Sequence, residues 1–403
     1  MCTGDVFVPA LVTLLVIVGG VSAKERGKIL MFGGNGLIGA AVTEALVSFG
    51  YDVTLTNRGT WYWDTDRTIK PFVRQIYCDR YSVFMMAGTI ARECPDLVEF
   101  VESVDRFEAV VDFSAYDVAV VTQALEILES KVGVYVYISS DSVYEVCDKH
   151  HTDPTRETDA VRPDDMTRRE ELNKADDYGN KKLLCEEELI RANLAGGPPY
   201  VFLRLPDVIG ARDNTDRWWI YQLWAKLAKH MGKPVTHPTF LKHQQLGMVF
   251  SEDVGQAVVK ILGKNDPNLL YNKAYNLAFE EHMTLPELIA EIGRNIGVGE
   301  VPMEIDPKDY AYYLFPSVKK GPVDITLAKT AFDFSPTPLK VAIKAAADFY
   351  EMAIRDEKYE KYRKRILGKL GKDVFQDKEK MKSGLALLYP DKFHSDKQDR
   401  EEL

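Results

Sequence analysis

The chain is short of several things, and each shortage excludes something. Five cysteines and seven histidines stand among 403 residues, with no Cys-x-x-Cys pair and no metal-type spacing, so neither a zinc site nor a dithiol redox motif is encoded. Cys78, Cys94, Cys147 and Cys185 read as scattered core cysteines, although a disulfide is open to them in an oxidising compartment. No Asn-x-Ser/Thr sequon occurs, so glycosylation says nothing about location. Basic charge is in deficit: 51 Lys and Arg against 61 Asp and Glu give a net charge of −10. That argues against a general nucleic-acid binder, which needs a basic surplus to neutralise phosphates. There is no internal repeat and no low-complexity linker.

The apolar run Phe7 to Val18, interrupted only by Pro9 and Thr13, is shorter than the roughly 20 residues of a spanning helix. Val21-Ser22-Ala23 follows as a small-residue cleavage site before Lys24, so residues 1–23 read as a signal peptide. Asp5 before the run and Lys24, Arg26 and Lys28 after it leave an uncleaved N-terminal membrane anchor as the alternative. The final Arg400-Glu401-Glu402-Leu403 is similar to retention signals of the Lys-Asp-Glu-Leu type, or else a frayed charged tail. Together the two ends give the endoplasmic reticulum lumen as the expected location, with no membrane span in the mature chain.

What is present is rhythm. Apolar strand-like stretches at Lys28–Phe32, Asp52–Thr56, Gln75–Cys78, Ala109–Phe113, Val134–Ser139 and Tyr200–Leu205 alternate with helical ones at Gly39–Phe49, Ala87–Val104, Val118–Ser130 and Asp176–Ala195. Such alternation predicts an α/β fold, a doubly wound parallel sheet with helices on both faces. Asp148 to Asp177 reads as a polar loop. Beyond Leu205 the rhythm loosens, with helices expected at Arg217–His230 and Leu285–Ile296 and a charged helical stretch from Tyr350 to Lys372.

The first strand runs into Gly33-Gly34-Asn35-Gly36-Leu37-Ile38-Gly39. Glycines between strand and helix allow a tight turn whose backbone N–H groups meet a pyrophosphate at the helix N-terminus. Gly33, Gly36, Leu37, Ile38 and Gly39 are therefore candidate contacts to a dinucleotide. The second strand ends at Asn57-Arg58 rather than at a carboxylate. A neutral residue followed by a cation suits a ribose 2′-phosphate, which favours NADP, with NAD the alternative. Asp79, after the third strand, is placed either for the adenine edge or as an ordinary turn residue. The chain then divides into a dinucleotide-binding Rossmann domain (24–205), a smaller substrate lobe (206–350) with segments returning to the sheet, and a helical extension (351–403).

The fifth strand leads into Ser139-Ser140-Asp141-Ser142-Val143-Tyr144, and a later helix opens with Tyr178-Gly179-Asn180-Lys181-Lys182. Tyr178 and Lys182, at i and i+4, share one helix face. A neighbouring ammonium is expected to bring the tyrosine pKa down from about 10 toward a working range. Ser140 can hydrogen-bond the same substrate oxygen.

In this order and spacing, the glycine turn, the Ser-x-x-Val-Tyr strand end and Tyr-x-x-x-Lys resemble the extended branch of the short-chain dehydrogenase/reductases, of the NAD-dependent epimerase/dehydratase type. Phe202 to Gly210, Val249 to Val254 and Tyr275-Asn276-Leu277 are similar too. The resemblance spans about Lys28 to Tyr350. It implies hydride transfer on a sugar, sugar-nucleotide or other hydroxyl or carbonyl substrate. Ser140, Tyr178 and Lys182 would be catalytic, with Tyr178 and Lys182 also touching the cofactor. No metal is implied, and a homodimer is left open.

Three departures narrow this. Ser142 replaces the second carboxylate that dehydratases carry after Asp141, which favours epimerisation or carbonyl reduction over loss of water. Glu145 stands where a glycine often follows Val-Tyr. Gln244-Gln245 replaces the usual arginine, which weakens the case for a diphosphate-linked substrate. The aromatic clusters Trp61-Tyr62-Trp63 and Trp218-Trp219 read as packing residues or as pocket lining, the second pair being the better lining candidate. The competing function is a non-catalytic nucleotide-sensing or RNA-binding protein on the same fold, since plastid relatives with a similar Asn-Arg-Gly bind RNA.

Overall fold

The computed structural model describes residues 26–148, 154–264, 266, 269–306, 315, 319 and 321–393. The expected leader and the Arg400–Leu403 tail lie outside the described residues.

Six strands come first along the chain: Lys28–Phe32 (β1), Asp52–Asn57 (β2), Arg74–Tyr77 (β3), Ala109–Asp112 (β4), Tyr135–Ser140 (β5) and Tyr200–Leu205 (β6). Three short ones follow, Asp207–Ile209 (β7), Val235–His237 (β8) and Met248–Phe250 (β9), then Lys273–Asn276 (β10) and Met303–Ile305 (β11). Every residue of β4 and β5 is buried, as central strands of a sheet covered on both faces must be.

The main sheet has seven strands in the order β10-β6-β5-β4-β1-β2-β3, all neighbours parallel. The chain winds outward from β1 to β3, then restarts at β4 on the other side of β1. The connections after β1 and β4 therefore part in opposite directions and leave a crevice at their C-terminal ends. β7 pairs with β9 and β8 with β11 in two small sheets of the second lobe.

Helix Leu37–Ser48 (α1) follows the glycine turn and packs against helix Ser251–Leu262 from the second half of the chain. The approach is close, since a methyl group on Gly255 would stand 2.8 Å from Ala41 O. This helix and β10 are thus segments of the second half that return to the sheet.

A separate apolar core joins helices Arg217–Met231, Leu285–Asn295 and Leu339–Ala353 to Tyr359, Tyr362, Ile366, Leu367, Phe375, Leu385 and Tyr389. Within residues 351–393, the charged helical extension thus contributes a packed layer of the second lobe. Trp218 and Trp219 are each 1% exposed in this core. They are packing residues, the first of the two readings, and neither lines the crevice. Trp63 joins the same core, stacked on Tyr362 with ring centroids 4.3 Å apart.

Two local expectations also change. The helix expected over Ala87–Val104 is broken into Ile90–Glu93 and Pro95–Ser103, with Arg80–Met85 ahead of it. Cys94 is drawn into a disulfide with Cys78, and the residue before a proline disfavours helical backbone. Those two cysteines are thus paired rather than scattered, while Cys147 and Cys185 remain buried thiols. The stretch Asp148–Asp177, read as loop, contains helix Met166–Ala175. It buries no residue, so it carries no apolar period to betray it.

Candidate active site

The crevice at the C-terminal edge of the sheet is a cleft of about 790 Å³. Gly33 and Gly34 make its floor at φ +105° and +91°, backbone that a side chain would strain. Gly36, Leu37, Ile38 and Gly39 continue along it into α1. Asn57, Arg58 and Asp79 line the far end, and Ser140, Tyr178 and Lys182 line the near end. All eleven candidate residues therefore face one cavity.

At the far end, Asn57 Oδ1 accepts from Gly59 N and Gln75 Nε2, both at 2.9 Å. Asn57 Nδ2 and Thr56 Oγ1 are buried and have no partner among the described residues. Arg58 is exposed, and its Nη2 donates to Tyr62 OH at 2.6 Å, so Tyr62 is the member of the first aromatic cluster that reaches the cleft. Asp79 caps the helix Arg80–Met85, accepting from Ser82 N at 3.2 Å and Ser82 Oγ at 2.8 Å. Its carboxylate is thus already engaged as a turn residue. A left-handed glycine floor, a helix N-terminus and orphaned buried polar atoms fit a dinucleotide.

At the near end, the helix Asp177–Leu194 is pressed onto the residues after β5. A methyl group on Gly179 would lie 2.2 Å from Ser142 O, so only glycine permits this seat. The buried Arg204 of β6 holds the helix from below, its Nη2 and Nε bonding Glu186 at 2.6 and 3.0 Å. Ser139 Oγ donates to the same carboxylate at 2.5 Å.

This seating sets Tyr178 beside Ser140 along the same wall of the cleft. Desolvation raises the Tyr178 hydroxyl above its ordinary pKa, with Tyr116 adding and the neighbouring Ser140 hydroxyl opposing, although the residue is 46% exposed. Lys182 is 2% exposed. Its Nζ donates to Ile138 O at 2.7 Å and to Ala115 O at 3.4 Å, and it lies 4.3 Å from the Tyr137 ring centroid. Burial pushes its pKa down to about 8. The expected lowering of the tyrosine by the lysine is not what this arrangement gives, because the ammonium turns to the carbonyls of Ile138 and Ala115.

The cleft also holds residues that the sequence did not single out. Tyr116 lies with its ring centroid 6.3 Å from that of Tyr178. Asp207, from β7, accepts from Arg217 at 2.5 Å, and desolvation brings its carboxyl up to about 7 with Arg217 opposing. Desolvation, then the Asp207 charge, pushes the Asp141 carboxyl well above the usual range. Arg80 bonds Asp112 and Ser114, both at 2.6 Å, with its guanidinium 3.8 Å from the Phe32 ring centroid. The rule that ligands bind beyond the carboxyl ends of parallel strands was available for the residues after β4. Of those from the second lobe, Asp207 lies in the stretch Phe202 to Gly210 that resembles the family, while Arg217 had no local motif to mark it.

Comparison with known proteins agrees with this fold. The chain is similar to the chloroplast stem-loop binding protein of 41 kDa b of Arabidopsis thaliana, 25% identical over 304 residues, or 72% of this chain and 69% of that one. Its fold is similar to dTDP-glucose 4,6-dehydratase from Bacillus anthracis, solved with NAD (TM-score 0.62, 16% identity, 83% of this chain and 98% of that one). It is also similar to UDP-glucose 4-epimerase from Thermotoga maritima, solved with UDP-glucose (TM-score 0.58, 19% identity, 81% and 100%). The model of the NAD dependent epimerase/dehydratase family matches residues 29–278, from β1 past β10 and through every strand of the main sheet, and the chain belongs to that family.

Proposed function

We propose that the protein is an NADP-dependent oxidoreductase or epimerase acting on a hydroxyl or carbonyl group of a sugar or related compound. The observation that carries this is the junction of Ser140, Tyr178 and Lys182 at one end of a dinucleotide-shaped cleft. When bound, the nicotinamide supplies or accepts a hydride. Tyr178 takes the hydroxyl proton when the hydride leaves the substrate, and gives a proton to the carbonyl oxygen when the hydride returns. Ser140 donates a second hydrogen bond to the same oxygen. Lys182, held by two backbone carbonyls, presents its ammonium toward the ribose end of the nucleotide. Ser142 leaves no carboxyl directly after Asp141, and Asp207 is engaged by Arg217, so epimerisation or carbonyl reduction is favoured over loss of water.

Arg58 at the mouth, with Asn57 in place of an acid, supports NADP over NAD. The Cys78–Cys94 bridge supports an oxidising compartment, and the endoplasmic reticulum lumen is the location we infer. Imaging the full chain against a luminal marker tests that location, and a cytosolic signal would refute it.

The function itself is tested by titrating NADPH and NADH, then assaying turnover of sugars, sugar nucleotides and simple carbonyls. NADPH should bind more tightly, and Arg58→Ala should remove most of the difference, about 1.5–3 kcal/mol for a charge-assisted contact. Tyr178→Phe should leave nucleotide affinity nearly intact and lower turnover about 10²- to 10⁴-fold. Full activity in Tyr178→Phe overturns the assignment. Nucleotide binding without turnover of any substrate makes the non-catalytic reading the correct one.

A further inference from the structure

The loop Arg212–Asp216 leaves the second lobe and passes over the glycine turn of the first. Asp213, Asn214 and Thr215 line the cleft there. A methyl group built on Gly36 would stand 2.9 Å from Asn214 Nδ2, so the carboxamide rests directly on the turn. Asn214 Oδ1 is buried and has no hydrogen-bond partner among the described residues. Folded proteins seldom leave a buried acceptor without a donor. Asn214 itself lines the cleft, so a ligand seated there can supply that donor once the carboxamide turns toward it.

The loop is pinned from three directions. Arg212 bonds Glu44 of α1 at 2.9 Å and Asp64 at 2.7 Å. The backbone N–H of Asp213 donates to Tyr350 OH at 2.9 Å. Asp216, whose side chain is 2% exposed, is held by Arg365 and by Lys369 Nζ at 2.7 Å. Arg212 and Asp216 both take φ +67°, backbone that a non-glycine residue keeps only when its surroundings hold it there. Glu360–Lys369, the helix carrying the last two anchors, thus reaches a loop in the cofactor cleft without lining the cleft itself.

We propose that Arg212–Asp216 is a clasp on the nucleotide's diphosphate and ribose. Asn214 donates from Nδ2 to a diphosphate oxygen and accepts a ribose hydroxyl at Oδ1, and helix Glu360–Lys369 holds the clasp shut through Asp216. This rests on the dinucleotide reading of the cleft. A clasp supplied by one lobe to a ligand bound by the other must release before the ligand leaves. Its signature is therefore the dissociation rate.

The experiment is stopped-flow displacement of NADPH from the full chain, followed by nucleotide fluorescence, at low and high salt. Asn214→Ala should speed dissociation about tenfold, the scale for one hydrogen bond to a charged group. Asn214→Asp keeps the shape but sets an anion against the diphosphate, so it should dissociate faster still, by an excess that salt screens. Arg365→Ala combined with Lys369→Ala should speed dissociation severalfold from outside the cleft. If that pair does not fold, Lys369→Met, which keeps the Arg365 anchor, should show a smaller increase of the same sign. Wild-type dissociation in both Asn214 variants overturns the contact, and a wild-type rate in a folded anchor variant overturns the anchoring. Failure of the unaltered protein to bind either nucleotide overturns the dinucleotide reading itself, and the clasp with it.

Discussion

Lys182 is enclosed by Tyr137, Tyr116 and two backbone carbonyls, and its pKa falls to about 8 because burial penalises the charged form. Below about pH 8 both the folded and the unfolded lysine carry the proton, and the folded state bears the full cost of a buried charge. Between about 8 and 10.5 the folded lysine sheds its proton while the unfolded one keeps it, so folding stability should rise with pH across that window, by up to about 3 kcal/mol. Lys182→Met removes the titration. Denaturant unfolding at pH 7 and pH 10 should show the wild type gaining on the variant as pH rises, and an unchanged difference would refute the buried charge. Tyr178 and Lys182 were legible in the sequence because i and i+4 on a helix meet by local geometry alone. Their pKa directions were not, since desolvation depends on what the rest of the chain packs around them.

At the scale of elements, the Cys78–Cys94 disulfide ties the end of β3 to the start of helix Pro95–Ser103 across 16 residues. Closing a loop of that length restricts the unfolded chain and should contribute about 3 kcal/mol. Replacing both cysteines by alanine should lower unfolding stability by roughly 2–4 kcal/mol. Identical unfolding with and without the bridge would show that it is not formed. The pairing was illegible because spacing alone does not say which cysteines meet. The same limit applies to Trp218 and Trp219, which are buried because helix Arg217–Met231 is covered on several sides. The helix Met166–Ala175 was missed for the opposite reason, since it buries nothing.

For the whole molecule, the final helices are part of the second lobe and brace, through Asp64 and Asp216, the loop that lines the cleft. Trp63 stacks on Tyr362, Tyr359 OH bonds Asp64 at 2.6 Å, and Asp64 in turn holds Arg212. Ending the chain after Arg355 would strip Tyr359, Tyr362, Ile366, Leu367, Phe375, Leu385 and Tyr389 from the core. Burying each large apolar side chain is worth about 1.5–3 kcal/mol, and a domain's whole stability is only about 5–15 kcal/mol. The truncated chain should therefore aggregate or lose its cooperative transition, as read by size-exclusion chromatography and thermal unfolding. A monodisperse truncated protein with an unchanged transition would refute the integral role of this segment.

The sequence by itself determined the parallel sheet, the glycine turn and the Ser140, Tyr178 and Lys182 set. The first two, and the pairing of Tyr178 with Lys182, are written in short-range periodicity or in neighbours along one strand or helix, and Ser140 joins that pair through the family resemblance. The tertiary structure alone decided that residues 351–393 close the second lobe, that Cys78 meets Cys94, and that Asp207, Arg217 and Asn214 enter the cleft. Those contacts join segments far apart in the chain, where no local spacing records which surfaces will be covered.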